Sequence, residues 1–289
     1  RKRLHGGREV HLEYLKKLAK VVGREFKSYE ELESAAGKLV NYHGGRGGAA
    51  IKKHFLGEAN RYFDEVHCLD ANSGKVLWKK SHAGQSPAAI GFEWPASSTP
   101  TISGGRCYVQ GSRALYCLAL EDGKLLWKQE TKLTNASPLV VGDRVFNYVD
   151  KLAAFDADSG EQLWRNAELT HRNCSPVLWK HDSGDFLLVY HDEHLVCVRP
   201  EDGGVVWKTR MRTGGDQSPI LAGEDLVVAR AGNSMQAYRL SKGKPEQVWY
   251  ARDGNRGASP VVTGGRVFTQ ARRTVCRDLK DGEEIWSAV

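Results

Sequence analysis

No stretch of this 289-residue chain approaches the roughly 18 unbroken apolar residues that a membrane helix needs. A transmembrane segment of that kind is therefore excluded. The chain also lacks any Cys-x-x-Cys or adjacent cysteine pair, so a zinc ribbon, a c-type haem and a vicinal disulfide have no sequence support. A nucleophile elbow, a phosphate-binding P-loop and a dinucleotide-binding glycine fingerprint are all missing. Proline is scarce at 9 residues, and 40% hydrophobic with 27% charged residues is ordinary globular composition, which rules out long disorder and collagen-like structure. Residue 1 is Arg and not Met, so a processed chain or a fragment is expected, and compartment cannot be judged from a signal peptide. The net charge of +7 is concentrated at one end. Residues 1–60 carry 13 Lys/Arg against 7 Asp/Glu, while the rest of the chain carries 29 against 28. With no basic surface running through the body, a nucleic-acid partner is not expected.

What the chain has in abundance is self-similarity. Trp78, Trp127, Trp164, Trp207, Trp249 and Trp286 follow one another at intervals of 49, 37, 43, 42 and 37 residues. Five of them close related segments: CLDANSGKVLW from Cys68, CLALEDGKLLW from Cys117, AFDADSGEQLW from Ala154, CVRPEDGGVVW from Cys197 and CRDLKDGEEIW from Cys276. In each a Gly stands four residues before the Trp, whereas AYRLSKGKPEQVW from Ala237 has two extra residues after Gly243. The residue before each Trp is Leu77, Leu126, Leu163, Val206, Val248 or Ile285, always aliphatic. A second marker keeps the same beat: Thr99-Pro100, Ser137-Pro138, Ser175-Pro176, Ser218-Pro219 and Ser259-Pro260 each open a short apolar run.

Each unit reads as four short strands parted by turns. Leu152, Ala154 and Asp156 share one face of a pleat, and Asp158-Ser159-Gly160 with its counterparts supplies the positive-φ residue of a tight hairpin. About 40 residues and four strands per unit is the mark of a β-propeller blade. One small sheet cannot bury both its faces, but sheets stacked around an axis bury them against each other. The tryptophans are expected to pack against the neighbouring blade, each burial stabilising by very roughly 2–3 kcal/mol. The first unit shows only its third and fourth strands, from about Tyr62, and the last ends at Trp286. Five complete blades and one half are therefore expected in residues 61–289, as part of a longer parent.

The repeats resemble the PQQ-type quinoprotein propeller repeat, with its apolar-Ala-Leu-Asp segment, Thr-Gly-Lys turn and closing Trp, over residues 62–289. The resemblance implies an all-β propeller, seven or eight blades in a full-length parent, and an exported, periplasmic bacterial protein. The family holds Ca²⁺/PQQ-dependent dehydrogenases and also many propellers that bind no quinone, among them an outer-membrane assembly lipoprotein of the β-barrel machinery. The reading is a non-catalytic scaffold for a protein partner or small ligand, with no cofactor. A PQQ/Ca-dependent dehydrogenase acting on alcohols or sugars is the first alternative, and a carbohydrate- or polymer-binding propeller the second.

A site would lie where loops converge at the propeller mouth. The loops leading into the first strands bring Glu93, Trp94, Asn135, His171, Arg172, Asn173, Asp216, Gln217, Asn255 and Arg256 there. Arg113, Lys151, His191, Glu193, His194, Arg272 and Arg273 join them from the loops between second and third strands. The dehydrogenase alternative implies a Ca²⁺ bound by Glu, Asn and Asp oxygens; Glu93, Asn135, Asn173 and Asp216 lie near the right mouth, but their surrounding motifs do not match that pattern. The His191-Asp192-Glu193-His194 run is read as a solvated turn.

The cysteines fall into repeat slots. Cys68, Cys117, Cys197 and Cys276 take the place of Ala154 and Ala237, Cys174 shares a slot with Ser98, Ala136 and Ala258, and Cys107 takes that of Val145 and Val267. Small buried side chains suit these slots, and free Cys behaves as one. A turn at Gly111-Ser112-Arg113 would nevertheless set Cys107 opposite Cys117, at bridgeable separation, so a disulfide there is the open alternative. In residues 1–60, a basic helical segment is expected. Val10, Tyr14, Leu15, Leu18, Ala19 and Val22 keep helical spacing, and Ser28 with Glu31 forms a capping box for a second helix through about Val40. Gly44 to Gly48 reads as a loop.

Overall fold

The computed structural model describes residues 2–4, 8–10, 31, 34, 63–84, 98–132, 134–171, 173–211, 217–252, 259–270 and 273–288. The chain divides into two compact units, residues 1–67 with 79–95 and residues 68–78 with 96–289. In the first, Lys2–Leu4 pairs antiparallel with Arg8–Val10, in the register Lys2 with Val10. Val10 is thus a strand residue, not the first turn of a helix, because its backbone groups are taken by Lys2. Glu31 and Ser34 are helical; the remainder of both expected helices, and the loop at Gly44–Gly48, lie outside the described residues.

The repeats form five four-stranded antiparallel sheets, each with its strands in chain order, and a sixth, two-stranded sheet from Phe63–Leu69 and Val76–Ala83. Blade 1 comprises Thr101–Ser103, Arg106–Gln110, Ala114–Ala119 and Leu125–Glu130. Blade 2 comprises Leu139–Val141, Arg144–Tyr148, Leu152–Asp156 and Gln162–Arg165. Blade 3 comprises Val177–His181, Gly184–His191, His194–Val198 and Val205–Arg210. Blade 4 comprises Ile220–Leu221, Leu226–Ala231, Ser234–Arg239 and Glu246–Arg252. Blade 5 comprises Val261–Thr263, Arg266–Gln270, Thr274–Asp278 and Glu284–Ala288. The expected five blades and a half are all present. Among the described residues no helix is long and apolar enough to cross a membrane.

The pleat explains why the blades stack. In blade 2, Leu152 and Ala154 point to one side and Ala153 and Phe155 to the other, and all four are buried. The first pair packs with Leu187, Val189, Val196 and Val198 of blade 3, the second with Tyr108, Leu115, Cys117 and Trp127 of blade 1. The cores between blades 3 and 4 and between blades 4 and 5 repeat the pattern, centred on Trp207 with Tyr238 and on Trp249 with Val267. Among the described residues the core is not one central cluster but four. The apolar interior is divided into slabs between sheets, which is why the middle strands are mainly apolar on both faces.

The outer-strand tryptophans lock these slabs. Each indole Nε1–H donates to a backbone carbonyl of the following blade: Trp78 to Leu120 (2.9 Å), Trp127 to Ala157 (3.0 Å), Trp164 to Pro200 (2.8 Å), Trp207 to Ser241 (3.0 Å) and Trp249 to Leu279 (2.8 Å). The ring faces the tight turn of that blade. Gly160 (φ +74°), Gly203 (φ +72°) and Gly282 (φ +75°) lie so close to Trp127, Trp164 and Trp249 that a Cβ on any of them would fall 2.6 Å from a ring carbon. The turn glycine is thus required twice, for its left-handed backbone and for the ring above it. In blade 4 the two extra residues displace Gly243, which has neither positive φ nor a ring within 4 Å. Trp286, in the last blade described, is 45% exposed. The aliphatic residues before the tryptophans divide: Leu77, Leu126, Leu163 and Ile285 are exposed at the sheet edge, whereas Val206 and Val248 are half-buried and pack against the cores on either side of blade 4.

Asp156 secures the turn of blade 2. Its carboxylate accepts the backbone N–H of Ser159 (2.7 Å), the Ser159 hydroxyl (2.8 Å) and the N–H of Asp158 (3.0 Å), which holds it below the usual carboxylate range. Asp70 is lowered in the same manner by Ser73.

Two tests follow from the clip and its turn. Trp127→Phe keeps an aromatic side chain but removes the indole N–H, leaving the Ala157 carbonyl only the Tyr108 hydroxyl at 3.2 Å, and is expected to lose about 1–3 kcal/mol in urea denaturation. Gly160→Ala should lose about 2–4 kcal/mol, whereas Gly243→Ala should stay within about 0.5 kcal/mol of the parent. Because the folded pKa of Asp156 lies below its unfolded value, its contribution is present above about pH 4 and lost as the pH falls through the carboxylate range. Asp156→Asn should therefore lower stability at neutral pH and flatten the acid limb of the stability curve.

Candidate functional site at the propeller mouth

Pleat and turn chemistry set the mouth. Antiparallel strands in chain order send the segment before each first strand and the loop between second and third strands to the same end. The Ser-Pro markers turn out to tie these segments together. The backbone N–H of Thr99 donates to Ser137 Oγ, that of Ser137 to Ser175 Oγ and that of Ser175 to Ser218 Oγ, each at 2.8 Å. One residue per blade thus accepts from the same residue of the blade before it. The following proline has no N–H to compete, and its fixed φ starts the strand. Thr101 Oγ1 adds a bond to the Pro138 carbonyl, at 2.6 Å. This ladder is what the repeated hydroxyl is for, and only its periodicity could be seen in the sequence.

Above the ladder, two of the expected mouth residues meet. Asn135 and Asn173 stand in the same slot of blades 2 and 3, and Asn135 Nδ2 donates to Asn173 Oδ1 at 3.2 Å. The Asn135 amide oxygen is buried without a hydrogen-bond partner. His171 serves its own loop: its Nδ1 accepts the backbone N–H of Asn173 (3.1 Å) and of Cys174 (2.9 Å), and its ring lies between Tyr148 and Tyr190. Tyr148 in turn donates to the Tyr190 carbonyl at 2.7 Å. Gln217, half-buried, closes the described part of the set. Glu93, Trp94, Arg172, Asp216, Asn255, Arg256 and Arg272 lie outside the described residues.

The loops between second and third strands contribute charge, most of it already matched. Asp150, at φ 147°, receives Lys132 at 3.2 Å and Arg165 at 2.8 Å, and its carbonyl accepts the Thr170 hydroxyl. Lys151 donates to the Glu168 carbonyl, and Glu193 pairs with Arg210 at 2.8 Å. Arg273 turns away to Glu284 and Ser287 of its own outer strand. His191 and His194 pair across their hairpin, His191 contacts Asp192 at 3.4 Å, and among the described residues no three His, Cys, Asp or Glu groups assemble as a metal site. The run His191–His194 is a turn.

The Ca²⁺ and quinone of the dehydrogenase alternative can be tested on this donor set. Asn135 and Asn173 are neutral amides, and the Asn173 oxygen is already engaged by Asn135. A calcium ion calls for six to eight oxygens, several of them carboxylate; the described residues do not fit it.

All six cysteines are free thiols. Cys107 pairs with Leu118 and Cys117 with Tyr108, so the hairpin is one residue longer than Gly111-Ser112-Arg113 and the two cysteines point to opposite faces. The expected opposition of Cys107 and Cys117 is overturned by this register. The repeat itself held the signal: Val145, in the slot of Cys107, pairs with Phe155 and not with Ala154. Burial pushes the Cys117 thiol up to about 11 and those of Cys174 and Cys197 up to about 12, and raises Cys107 as well. These are packing groups and not nucleophiles at neutral pH.

The slabs, clips and mouth define a β-propeller of PQQ-like repeats. Residues 62–288 match the family model described as outer membrane protein assembly factor BamB, and the chain belongs to that family. It is 27% identical over 179 residues to the outer membrane protein assembly factor BamB of Yersinia pestis, covering 60% of this chain and 44% of that protein. It is 25% identical over 278 residues to tetrathionate hydrolase of Acidithiobacillus ferrooxidans, covering 83% and 54%. The crystal structure of BamB from Moraxella catarrhalis superposes with a TM-score of 0.61 at 19% identity, covering 78% of this chain and 70% of that one, which speaks to the fold alone. The chain spans about half the length of the curated relatives it matches.

Two outcomes check this account. Under native conditions an alkylating reagent should modify only half-buried Cys68, with the other five cysteines reacting on unfolding, read by mass spectrometry. Ser175→Ala, which strips the acceptor from the Ser137 N–H, should lose about 1 kcal/mol in denaturant titration.

Proposed function

We propose that this chain is a non-catalytic propeller that presents its mouth to a protein partner in the bacterial periplasm, as a rigid scaffold in outer-membrane protein assembly. The observation that carries this reading is the cross-blade pair Asn135–Asn173, seated on the hydroxyl ladder. It is a fixed polar platform at the described part of the mouth, its two amides held in place by the bond between them. Membership of a family described as an assembly factor supports the same direction. The surrounding groups are spent on structure: the His171 Nδ1 on its own loop, Asp150 on two cations, the thiols on packing. Nothing in that set is poised to accept or donate a proton to a substrate, so binding is the better reading. The undescribed mouth residues Glu93, Trp94, Arg172, Asp216, Gln217's neighbour in sequence, and Asn255 with Arg256, belong to the same proposed surface.

The test is binding of the full chain to soluble periplasmic domains of the outer-membrane assembly machinery, by biolayer interferometry. Asn135→Ala with Asn173→Ala should weaken binding about tenfold or more while the melting temperature stays within a few degrees of the parent. Saturable binding of PQQ with Ca²⁺, followed by dye reduction with alcohols or sugars, would overturn the proposal in favour of a dehydrogenase. Saturable binding of oligosaccharides at the mouth, with no protein binding, would overturn it in favour of a polymer-binding propeller.

A further inference from the structure

A second site lies between blades 3 and 4, where the outer strand of blade 3 ends beside the mouth loop that carries Glu193. Between blades 3 and 4 lies a cleft of about 490 Å³, lined by Arg210, Met211, Gln236 and Gln247. That volume falls in the range of small-ligand pockets. Gln236 is 1% exposed and stands in a middle strand, opposite Ala229. The same register position holds Tyr116, Ala153, Val196 and Val275 in the other blades. An amide replaces a mainly apolar residue only here. Its Oε1 accepts the Tyr238 hydroxyl at 2.7 Å, which orients the group, and its Nε2 is buried with no hydrogen-bond partner. A buried donor left without an acceptor destabilises the fold, so the bond to Tyr238 accounts for the amide oxygen of this residue and not for its amide nitrogen.

Arg210 supplies the second donor. Its Nε and one Nη reach Glu193 Oε2 at 3.1 and 2.8 Å, which fixes the guanidinium plane beside the cleft, and among the described residues the other Nη has no partner. Met211, buried beside it and anchored through its N–H to the Glu193 carbonyl, gives an apolar floor. Two donors, one cationic and one amide, and no acceptor facing them from Gln236 call for a ligand that accepts twice. A carboxylate does so with both oxygens.

We propose that the cleft between blades 3 and 4 binds a carboxylate through Arg210 and Gln236. The carboxylate comes either from a small organic acid or from an acidic side chain or C-terminus of a peptide. The test follows the Gln236 side-chain amide signal of the full chain in ¹⁵N spectra, while succinate and, separately, an Asp/Glu-rich peptide are added. A saturable shift with succinate assigns the small acid, and one with the peptide alone assigns the peptide. Arg210→Gln should weaken the effect about tenfold. Gln236→Met should abolish binding, followed by the peptide's or succinate's own signals, while the variant's circular dichroism spectrum stays that of the parent. The proposal is overturned by the absence of a shift with either probe, or by unchanged binding in Gln236→Met.

Discussion

Everything in this fold hangs on the contact between an outer-strand indole and the next blade's turn. The ring needs a flat neighbour, and only glycine offers one; the turn needs positive φ, and glycine supplies that as well. Hence Trp127 with Gly160, Trp164 with Gly203 and Trp249 with Gly282. The Nε1–H adds a directional bond to the carbonyl just beyond the third strand, so the contact sets distance, register and tilt at once. A single four-stranded sheet with two apolar faces has no stable existence in water. Each blade is therefore stable only as the neighbour of another.

Towards the axis the same repetition works through hydroxyls. The ladder from Thr99 through Ser137 and Ser175 to Ser218 satisfies backbone donors that the short first strands leave over. A frame fixed at its rim by indoles and at its axis by hydroxyls can carry loops of any sequence, which is why one architecture serves enzymes and binding proteins alike. In this chain the described mouth groups are mostly committed to each other, and among the described residues a buried amide with an unmet donor, Gln236, stands between blades 3 and 4.

The disagreement over Cys107 and Cys117 is instructive. A turn guessed from Gly111 and its neighbours is uncertain by one residue, and one residue moves a side chain to the other face of the pleat. The repeat was the better witness, since aligned slots share a face. Val10 is a second case: helical spacing counted it with Tyr14 and Leu18, but pairing with Lys2 overrides propensity at a segment end. Likewise Arg210 and Gln236 carried no mark in the sequence. They are 26 positions apart, in separate blades, and a lone glutamine in a strand is unremarkable until its surroundings are known.

By itself the sequence determined the repeat unit, the number of blades it contains, and which residue closes each, because periodic burial leaves a periodic pattern in the chain. The packing of cysteines in alanine slots was equally legible for that reason. Only the tertiary structure decided where the turn glycines sit against the indoles, what the serines of the Ser-Pro markers accept, and which polar groups end without a partner. Those are relations between different blades, fixed by distances of a few ångströms that no local spacing encodes.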